Sequence, residues 1–224
     1  MSGNKIIREP LKYNEEKVYS DNEIEDAFPI SQDQLNGGKL FNSKYEYVKT
    51  LNKNISYLEV GVAWGYSAQM IIDTTNAKSA DLLDRYDGAY GVLHPGGPVP
   101  KDSSVTHEQY VKNKFAYHPN VSTIKGDAKD ILPVLNKKYD FILLDIERGR
   151  FETRKFLSDC SQLTNIGGVI GLTSYINYDS ILYNEPVGIY QSVNEFLHLN
   201  KNWSVDGLLL NTIGFHDIYI KRNS

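Results

Sequence analysis

Residues 58–67 read Leu-Glu-Val-Gly-Val-Ala-Trp-Gly-Tyr-Ser, which places an acid at the end of an apolar strand and two glycines before a helix. Glycine lets the chain turn sharply and brings backbone amides against a ligand, and the N–H groups of the helix N-terminus face the same point. Gly61 and Gly65 are four residues apart, which departs from the Gly-x-Gly-x-x-Gly spacing of dinucleotide sites. The stretch also lacks the Gly-Lys-Ser/Thr of a phosphate-binding loop. We therefore expect a ligand without a pyrophosphate group at this turn.

Short apolar runs alternate with helical patterns from Ile55 onward, which is typical of βαβ units and a parallel sheet. The last two apolar runs are joined by a turn at 211–214 that leaves no room for a crossover helix, so they are predicted to pair antiparallel. Strands are predicted at 55–60, 79–84, 121–125, 139–145, 168–175, 203–210 and 215–222, and helices at 40–51, 65–75, 107–118, 128–137, 151–164 and 187–200.

The expected fold is α/β, a Rossmann-like three-layer sandwich whose seven-stranded sheet is mainly parallel, with one antiparallel strand near the C-terminus. Pro133 predicts that the helix at 128–137 is short or kinked. A chain of 224 residues is long enough for one such domain with a sizeable core. Residues 1–38 are polar and interrupted by prolines, so they are predicted as an N-terminal arm or cap, and residues 39–224 as the ligand-binding domain.

The composition restricts the partners and the compartment. Hydrophobic residues make up 41% of the chain and charged residues 23%, which excludes wholesale disorder. The formal charge of -4 argues against nucleic acid, because binding to phosphates needs clustered Lys and Arg. The sequence has no run of about 20 apolar residues to span a membrane, and residues 1–17 lack the apolar core of a signal peptide. We expect a cytoplasmic protein, and homo-oligomerisation stays open.

The turn at 58–67 and its setting resemble the class I S-adenosylmethionine-dependent methyltransferases, in particular the small-molecule group. Members of that group run strand, Glu/Asp-x-Gly-x-x-x-Gly, helix, and the resemblance covers about residues 40–222. It implies that S-adenosyl-L-methionine is the cofactor and that residues 39–224 form a methyltransferase domain. It also implies that the methionine part of the cofactor is bound by Glu59, Gly61, Ala63 and Gly65, with Ser67 nearby.

Two further segments extend the resemblance to the nucleoside part of the cofactor. Asp84 closes the second predicted strand, where a carboxylate can accept hydrogen bonds from both ribose hydroxyls, although Asp81 or Asp87 are alternatives. The Gly-Asp-Ala segment that ends the third strand implies that the Asp127 side chain and the Ala128 backbone amide contact the adenine. Asp127 is also well placed to cap the following helix.

The resemblance points to the end of the fourth strand for catalysis. Asp145 occupies the position that faces the transferred methyl group in the family, so it is implied to contact the cofactor's amino group, orient the acceptor or act as a base. Glu147 is the second candidate for orienting the acceptor, and pairing of these acids with Arg148 or Arg150 is the alternative.

Many relatives that methylate hydroxyls hold a metal with the acid after strand four and an Asp-Asp or Asp-Asn pair after strand five. This chain has Thr173-Ser174-Tyr175 at the second position, and neutral hydroxyls are poor replacements for carboxylate ligands. We therefore expect no essential metal. The Asp-Gly-Asp-His-x-Tyr segment that relatives often carry after strand four is replaced by 145–151, which lacks the histidine.

The predicted function is methyl transfer from S-adenosylmethionine to a small molecule that the sequence does not identify. The alternatives are a catalytically silent module that still binds the cofactor and an NAD-dependent oxidoreductase, which the glycine spacing disfavours. The Gly/Pro-rich loop at 86–106 is predicted to cover the acceptor, with His94 and His107 solvated or locally bonded. Gly61→Arg is predicted to fill the cofactor site without unfolding the sheet.

Overall fold

The structure is a computed structural model that describes residues 30–87, 105–146, 150–177, 189–210 and 215–224. Most of the predicted arm, most of the loop at 86–106, including His94, the candidate Glu147 and the turn at 211–214 lie outside the described residues.

The described chain alternates strands and helices, as the sequence pattern predicts. The strands are β1 Lys39–Phe41, β2 Ser56–Val60, β3 Ser79–Asp84, β4 Val121–Lys125, β5 Tyr139–Leu144, β6 Thr164–Asn177, β7 Trp203–Leu209 and β8 Phe215–Arg222. The helices are α1 Gln32–Leu35, α2 Lys44–Val48, α3 Tyr66–Thr75, α4 His107–Lys114, α5 Ala128–Ile131, α6 Arg150–Leu163 and α7 Ile189–Leu199. A 3-10 turn at Leu132–Val134 follows α5, and this confirms that Pro133 keeps the helix short.

All eight described strands form one sheet in the order β1-β7-β8-β6-β5-β2-β3-β4. Every neighbouring pair is parallel except the two pairs that β8 makes with β6 and β7. The seven predicted strands and the single reversed strand near the C-terminus are therefore confirmed. The sheet also has an eighth strand, β1, at its edge beside β7.

The predicted helix at 40–51 is wrong in its first half, where β1 lies instead. The Phe41 carbonyl accepts a hydrogen bond from the Leu210 amide at 2.9 Å, and Leu40 is 70% exposed rather than turned to the core. The helix α2 begins after Ser43, because the Ser43 hydroxyl accepts a hydrogen bond from the Glu46 amide at 3.2 Å and caps it.

The sheet is buried on both faces, which completes the three-layer sandwich. Every residue of β2 is buried, and its alternation sends Leu58 and Val60 to one face and Tyr57 and Glu59 to the other. The first face packs against α6 and α7 through Phe156, Leu157, Cys160, Val193 and Phe196, and the second packs against α2, α3 and α4 through Tyr47, Val48, Ala68, Ile71 and Val111. No helix in the described ranges is long and apolar enough to cross a membrane.

The helix α1 packs on the sheet ahead of β1. Its Gln34 side chain is buried and donates hydrogen bonds to the carbonyls of Leu197 at 2.5 Å and Trp203 at 3.2 Å. These contacts connect Gln34, which precedes the predicted boundary at residue 38, to α7 and β7. The position of the boundary between arm and domain stays a prediction.

Asp140 ties three strands together at the end of the sheet opposite the glycine turn. Its carboxylate accepts hydrogen bonds from the Ser56 main-chain amide and hydroxyl, both at 2.8 Å, and from the side-chain amide of Asn165 at 2.7 Å. Burial opposes ionisation of Asp140, but these contacts and Lys78 outweigh it and lower the pKa of the carboxyl. The charged form of Asp140 therefore stabilises the fold.

We predict that Asp140→Asn lowers the free energy of unfolding near neutral pH by about 1–3 kcal/mol, because its amide cannot replace the carboxylate as an acceptor for three donors. The lowered pKa means that this stabilisation is present above the ordinary pKa of 3.8 and is lost as the pH falls through the folded-state value. Urea unfolding checks the prediction, with Asp73→Asn on the exposed face of α3 as the control. Equal losses in the two variants would contradict it.

Candidate functional site

The turn after β2 runs through three residues in the left-handed region. The φ angles are +88° at Gly61, +45° at Ala63 and +71° at Gly65, and Gly65 is the N-cap of α3. Two main-chain hydrogen bonds fix the turn, from the Gly61 amide to the Leu83 carbonyl at 2.9 Å and from the Gly65 amide to the Val62 carbonyl at 2.8 Å. A left-handed conformation at alanine costs free energy, so the surroundings must enforce it.

Gly61 lies directly against the main chain at the end of β5. A Cβ atom at this position would lie 2.1 Å from the Asp145 carbonyl oxygen and 2.7 Å from Cγ2 of Ile146. The expectation that Gly61→Arg only fills the cofactor site is therefore corrected, because any side chain at this position displaces the turn from β5. Conservative changes outside the glycines make cleaner tests of the site.

Asp84, at the C-terminal end of β3, forms hydrogen bonds to the same turn. Its Oδ2 accepts hydrogen bonds from the amides of Val62 at 2.7 Å and Ala63 at 3.0 Å, and its Oδ1 accepts one from the Tyr86 amide at 2.9 Å. These contacts account for the unusual conformation of Ala63. They also make Asp84 a structural element of the turn as well as a candidate ribose ligand.

The other two acids considered for this role face elsewhere. The Asp81 carboxylate accepts hydrogen bonds from Tyr139 Oη and Lys137 Nζ, both at 2.7 Å, and Asp87 pairs with Arg85 at 3.3 Å. Asp84 is therefore the one acid of the three that contacts the glycine turn.

Aromatic rings cover the turn from the side of α4. Trp64 is 3% exposed and its ring centroid lies 4.4 Å from that of His107, whose other face meets Tyr86 at 5.3 Å. The Nε2 atom of His107 lies 2.5 Å from the Ala63 carbonyl oxygen. The alternative that His107 is locally bonded is thus the one the structure bears out.

The third predicted segment forms the tip of β4. Asp127 caps α5, since its side chain accepts a hydrogen bond from the Lys129 amide at 3.1 Å, as the sequence predicts. The Gly126 amide donates to the Asp84 carbonyl at 3.0 Å, so the tips of β3 and β4 are joined. Ala128 is at the buried start of the helix, and contact of this segment with adenine stays a prediction.

Glu59 is an almost completely buried acid, 1% exposed, below the turn. Tyr57 donates a hydrogen bond from Oη to its Oε2 at 2.5 Å. Burial raises the pKa of Glu59 to about 8; the Tyr57 hydrogen bond and Lys44 act in the opposite direction, and Asp145 adds to the rise. The carboxyl is therefore mostly protonated near neutral pH, and a positive charge placed nearby would lower its pKa and favour the ionised form.

Asp145 follows β5 directly and is held from two sides. Its amide donates to the Val60 carbonyl at 2.8 Å, and its Oδ1 accepts a hydrogen bond from the Thr173 hydroxyl at 2.6 Å. Thr173 thus acts as a hydrogen-bond donor toward Asp145. Glu147 lies outside the described residues, so its role stays a prediction.

Arg150 pairs with Glu195 of α7 at 3.5 Å, and Glu195 also binds Arg154 at 2.7 Å. Arg150 is one of the two arginines that the sequence analysis considered as partners for Asp145 and Glu147.

Ser67 lies in the first turn of α3 and is half-buried. The structure therefore brings the sequence-predicted site residues that it describes to one edge of the sheet, at the carboxyl ends of β2, β3, β4 and β5: Glu59, Gly61, Ala63, Gly65, Ser67, Asp84, Asp127, Ala128 and Asp145.

Three residues that the sequence analysis missed extend this edge toward β8. Asp217 is 7% exposed, its Oδ1 accepts a hydrogen bond from the Ser174 amide at 3.2 Å, and its Oδ2 lies 3.8 Å from Lys44 Nζ. Burial opposes the charge on Lys44, but Asp145, Asp217 and Glu59 together raise the pKa of its ammonium group. Tyr219 completes the group and is fully buried.

A signal for Asp217 was present in the sequence, because it is an acid inside a predicted strand that is rich in apolar residues. Lys44 gave none, since a lysine at the start of a short helix is ordinary.

No protein-family model matches the sequence, and no curated protein matches it. Solved structures do share the fold. The O-methyltransferase TomG from Streptomyces achromogenes, solved in complex with SAM, is 13% identical over 80% of this chain and 78% of its own, with a TM-score of 0.58. An rRNA methylase from Streptococcus thermophilus is 8% identical over 80% of this chain and 94% of its own, with a TM-score of 0.56.

The pyocyanin biosynthetic protein PhzM is 16% identical over 80% of this chain, with a TM-score of 0.54, and this chain covers 53% of its length. At identities this low the likeness concerns the fold. The chain thus shares a Rossmann-like fold with solved methyltransferases such as TomG, and it carries an acid-and-glycine turn at the carboxyl edge of its sheet.

The raised pKa of Glu59 predicts how the stability of the protein depends on pH. The folded state holds a proton on Glu59 that the unfolded chain releases above its ordinary pKa of 4.5, so stability is lost as the pH rises from 4.5 to about 8. We expect Glu59→Gln to remove this part of the pH dependence, so that the variant gains stability relative to the parent as the pH rises.

Thermal unfolding of both proteins across that pH range checks the prediction, with Glu46→Gln on exposed α2 as the control. Parallel curves for the parent and Glu59→Gln would contradict it.

Proposed function

We propose that the protein is a methyltransferase that uses S-adenosyl-L-methionine and acts on a small molecule. The observation that carries this proposal is the left-handed turn at Gly61–Gly65, held between the Asp84 carboxylate and the main chain of Asp145 at the carboxyl edge of a parallel sheet. Open α/β sheets bind their ligands at this edge. TomG, which has the same fold, was solved with SAM.

The turn suits a cofactor that brings a positive charge. When bound, S-adenosylmethionine supplies a methyl group on a positively charged sulfur. Glu59 is buried, and the negative charges of Asp145 and Asp84 add to the rise in its pKa. A cationic group at the turn would act in the opposite direction and favour the ionised form of Glu59. This supports the assignment of Glu59, Gly61, Ala63, Gly65 and Ser67 to the methionine part of the cofactor.

Asp84 and the tip of β4 are the proposed nucleoside ligands. An ionised carboxylate has about four acceptor positions, and main-chain amides occupy three of those of Asp84. In this conformation Asp84 can therefore accept from one ribose hydroxyl, rather than from the two that the family pattern implies. Asp127 and the Ala128 amide remain the proposed contacts to adenine.

The residues of the chain mainly align the acceptor and exclude water, because methyl transfer is an in-line displacement on a cofactor that is already activated. Asp145 is the proposed group nearest the reacting atoms. Thr173 occupies Oδ1 of Asp145 as a donor and fixes the orientation of the carboxylate, which leaves Oδ2 to face the cofactor or the acceptor. Glu147 stays a proposed second group for orienting the acceptor.

We also propose that the reaction needs no metal. Thr173 and Ser174 lie within β6, in the segment where the resemblance places carboxylate or amide ligands in metal-dependent relatives, and neutral hydroxyls are weak ligands for hard cations. Within the described ranges, no three His, Cys, Asp or Glu side chains are grouped to hold a metal ion.

A small-molecule acceptor is favoured over nucleic acid, although an rRNA methylase shares the fold. The formal charge of the chain is -4, and the proposed acceptor side of the edge carries Asp145 and Asp217. Both features repel a phosphate backbone.

Thermal unfolding with S-adenosylhomocysteine, with NAD and without ligand tests the cofactor. A ligand at about 100 times its dissociation constant adds roughly 2.7 kcal/mol, so we expect a clear rise in Tm with S-adenosylhomocysteine and none with NAD. Glu59→Gln should weaken the affinity for S-adenosylhomocysteine about tenfold, because a hydrogen bond between the ligand's ammonium group and a charged carboxylate is worth about 1.5–3 kcal/mol. Glu46→Gln is the matched control.

A rise in Tm with NAD instead would contradict the proposal and favour the oxidoreductase. Incubation with S-adenosylmethionine and a metabolite extract, followed by mass spectrometry of S-adenosylhomocysteine formation, separates an enzyme from a silent cofactor-binding module. Binding without any methyl transfer to the extract would favour the module.

A further inference from the structure

A buried hydroxyl lies among charged groups at the end of β8. Tyr219 is 0% exposed, and its Oη makes no hydrogen bond among the described residues. Burial and then the negative charges of Asp217 and Asp145 raise the pKa of its phenol, so the hydroxyl lies beside these two carboxylates. Its position next to Asp217 does not reach hydrogen-bonding geometry. A buried polar atom without a partner is rare and calls for an explanation.

The ring of Tyr219 is rigidly held, so its hydroxyl cannot turn away to water. The ring stacks on Tyr47 with centroids 3.6 Å apart and planes 12° apart. On the strand side it lies over Gly171, where a Cβ atom would come within 2.8 Å of the ring. The hydroxyl is therefore held in a fixed position beside the acids at this edge of the sheet.

The charges around this hydroxyl leave an excess of negative charge. Lys44 is the ammonium group that faces Asp145, Asp217 and Glu59, and it lies 3.8 Å from the nearest Asp217 oxygen. Acids outnumber the ammonium group here whether Glu59 is protonated or ionised, because Asp145 and Asp217 both act on Lys44. The excess of acids disfavours an anionic acceptor and favours one with a positive charge or N–H donors.

We propose that Asp217 and the Tyr219 hydroxyl bind an amino group of the methyl acceptor, so that the substrate is a small amine. The proposal rests on the proposed function, and it deepens it by naming the substrate class. The hydroxyl of Tyr219 supplies one contact, and Asp217 Oδ2, which lies 3.8 Å from Lys44 Nζ and accepts no hydrogen bond from the Ser174 amide, supplies the other. The fold by itself assigns no function to Asp217 or to Tyr219.

The transfer balances for an amine. The acceptor nitrogen gives one proton to the Asp217 carboxylate, and its lone pair forms a bond to the methyl carbon. The bond between that carbon and the sulfur breaks, its electron pair returns to the sulfur, and S-adenosylhomocysteine leaves. Lys44 holds Asp217 in place and does not touch the reacting atoms.

The test compares acceptor fragments that differ in one group. The full-length chain, saturated with S-adenosylhomocysteine, is titrated by calorimetry with phenethylamine, 2-phenylethanol and phenylacetate, and with the matched set butylamine, butanol and butyrate. We expect the amine to bind most tightly in each set and the carboxylate least. Equal or tighter binding of the alcohol or the acid, or no binding by any of the six, overturns the proposal.

Two variants locate the amine site. Asp217→Asn should weaken amine binding about tenfold or more, because it removes a charge-assisted hydrogen bond. Tyr219→Phe should weaken it several-fold while leaving the Tm of the free protein equal or higher, because it removes a buried hydroxyl that has no partner. Asp73→Asn on the exposed face of α3 is the control, and it should leave amine binding unchanged.

A lower Tm for Tyr219→Phe together with unchanged amine binding would mean that the hydroxyl is structural, and would overturn the proposal. The binding of S-adenosylhomocysteine is measured first in every protein. If S-adenosylhomocysteine binds the parent and the amines do not, the amine site fails and the proposed function stands; if S-adenosylhomocysteine does not bind, the proposed function itself fails.

Discussion

Close contact between Gly61 and the main chain that follows β5 determines the shape of the whole carboxyl edge of the sheet. With a Cβ position only 2.1 Å from the Asp145 carbonyl oxygen, no side chain fits between the two strands. This contact lets the first turn cross the end of β5, where Asp84 of β3 hydrogen-bonds the amides of the turn. The ends of β2, β3 and β5 are thereby joined, and this brings the acids at these strand ends close together.

Burial of this edge gives its acids unusual properties. Glu59 is enclosed by the sheet and by Tyr57, so its ionisation depends on which charge lies nearby. Lys44, from the helix after β1, brings a positive charge to the same place, and Asp217 of the reversed strand balances it. The antiparallel strand β8, which lies between β6 and β7, therefore contributes to the site, because it carries an acid and a buried tyrosine on the proposed acceptor side.

Local patterns in the sequence were sufficient for most of the fold and for the glycine turn. The turn at 58–67, the cap at Asp127 and the reversed last strand follow from short-range rules on glycine, capping and loop length. Long-range contacts decided the rest. The segment 39–41 has the spacing of a helix but pairs with β7, and Lys44, Asp217 and Tyr219 meet only because distant strands are neighbours. The double duty of Asp84, as ligand candidate and as anchor of the turn, also depends on such contacts.

A crystal structure of the chain grown with S-adenosylhomocysteine tests the central claim, that the acid-and-glycine turn binds this nucleoside, most directly. The account predicts the methionine part of the ligand beside Gly61–Gly65 and above Glu59, with the ribose at Asp84 and the adenine at Asp127 and Ala128. A ligand bound elsewhere on the protein, or an empty crevice at saturating concentration, would contradict it.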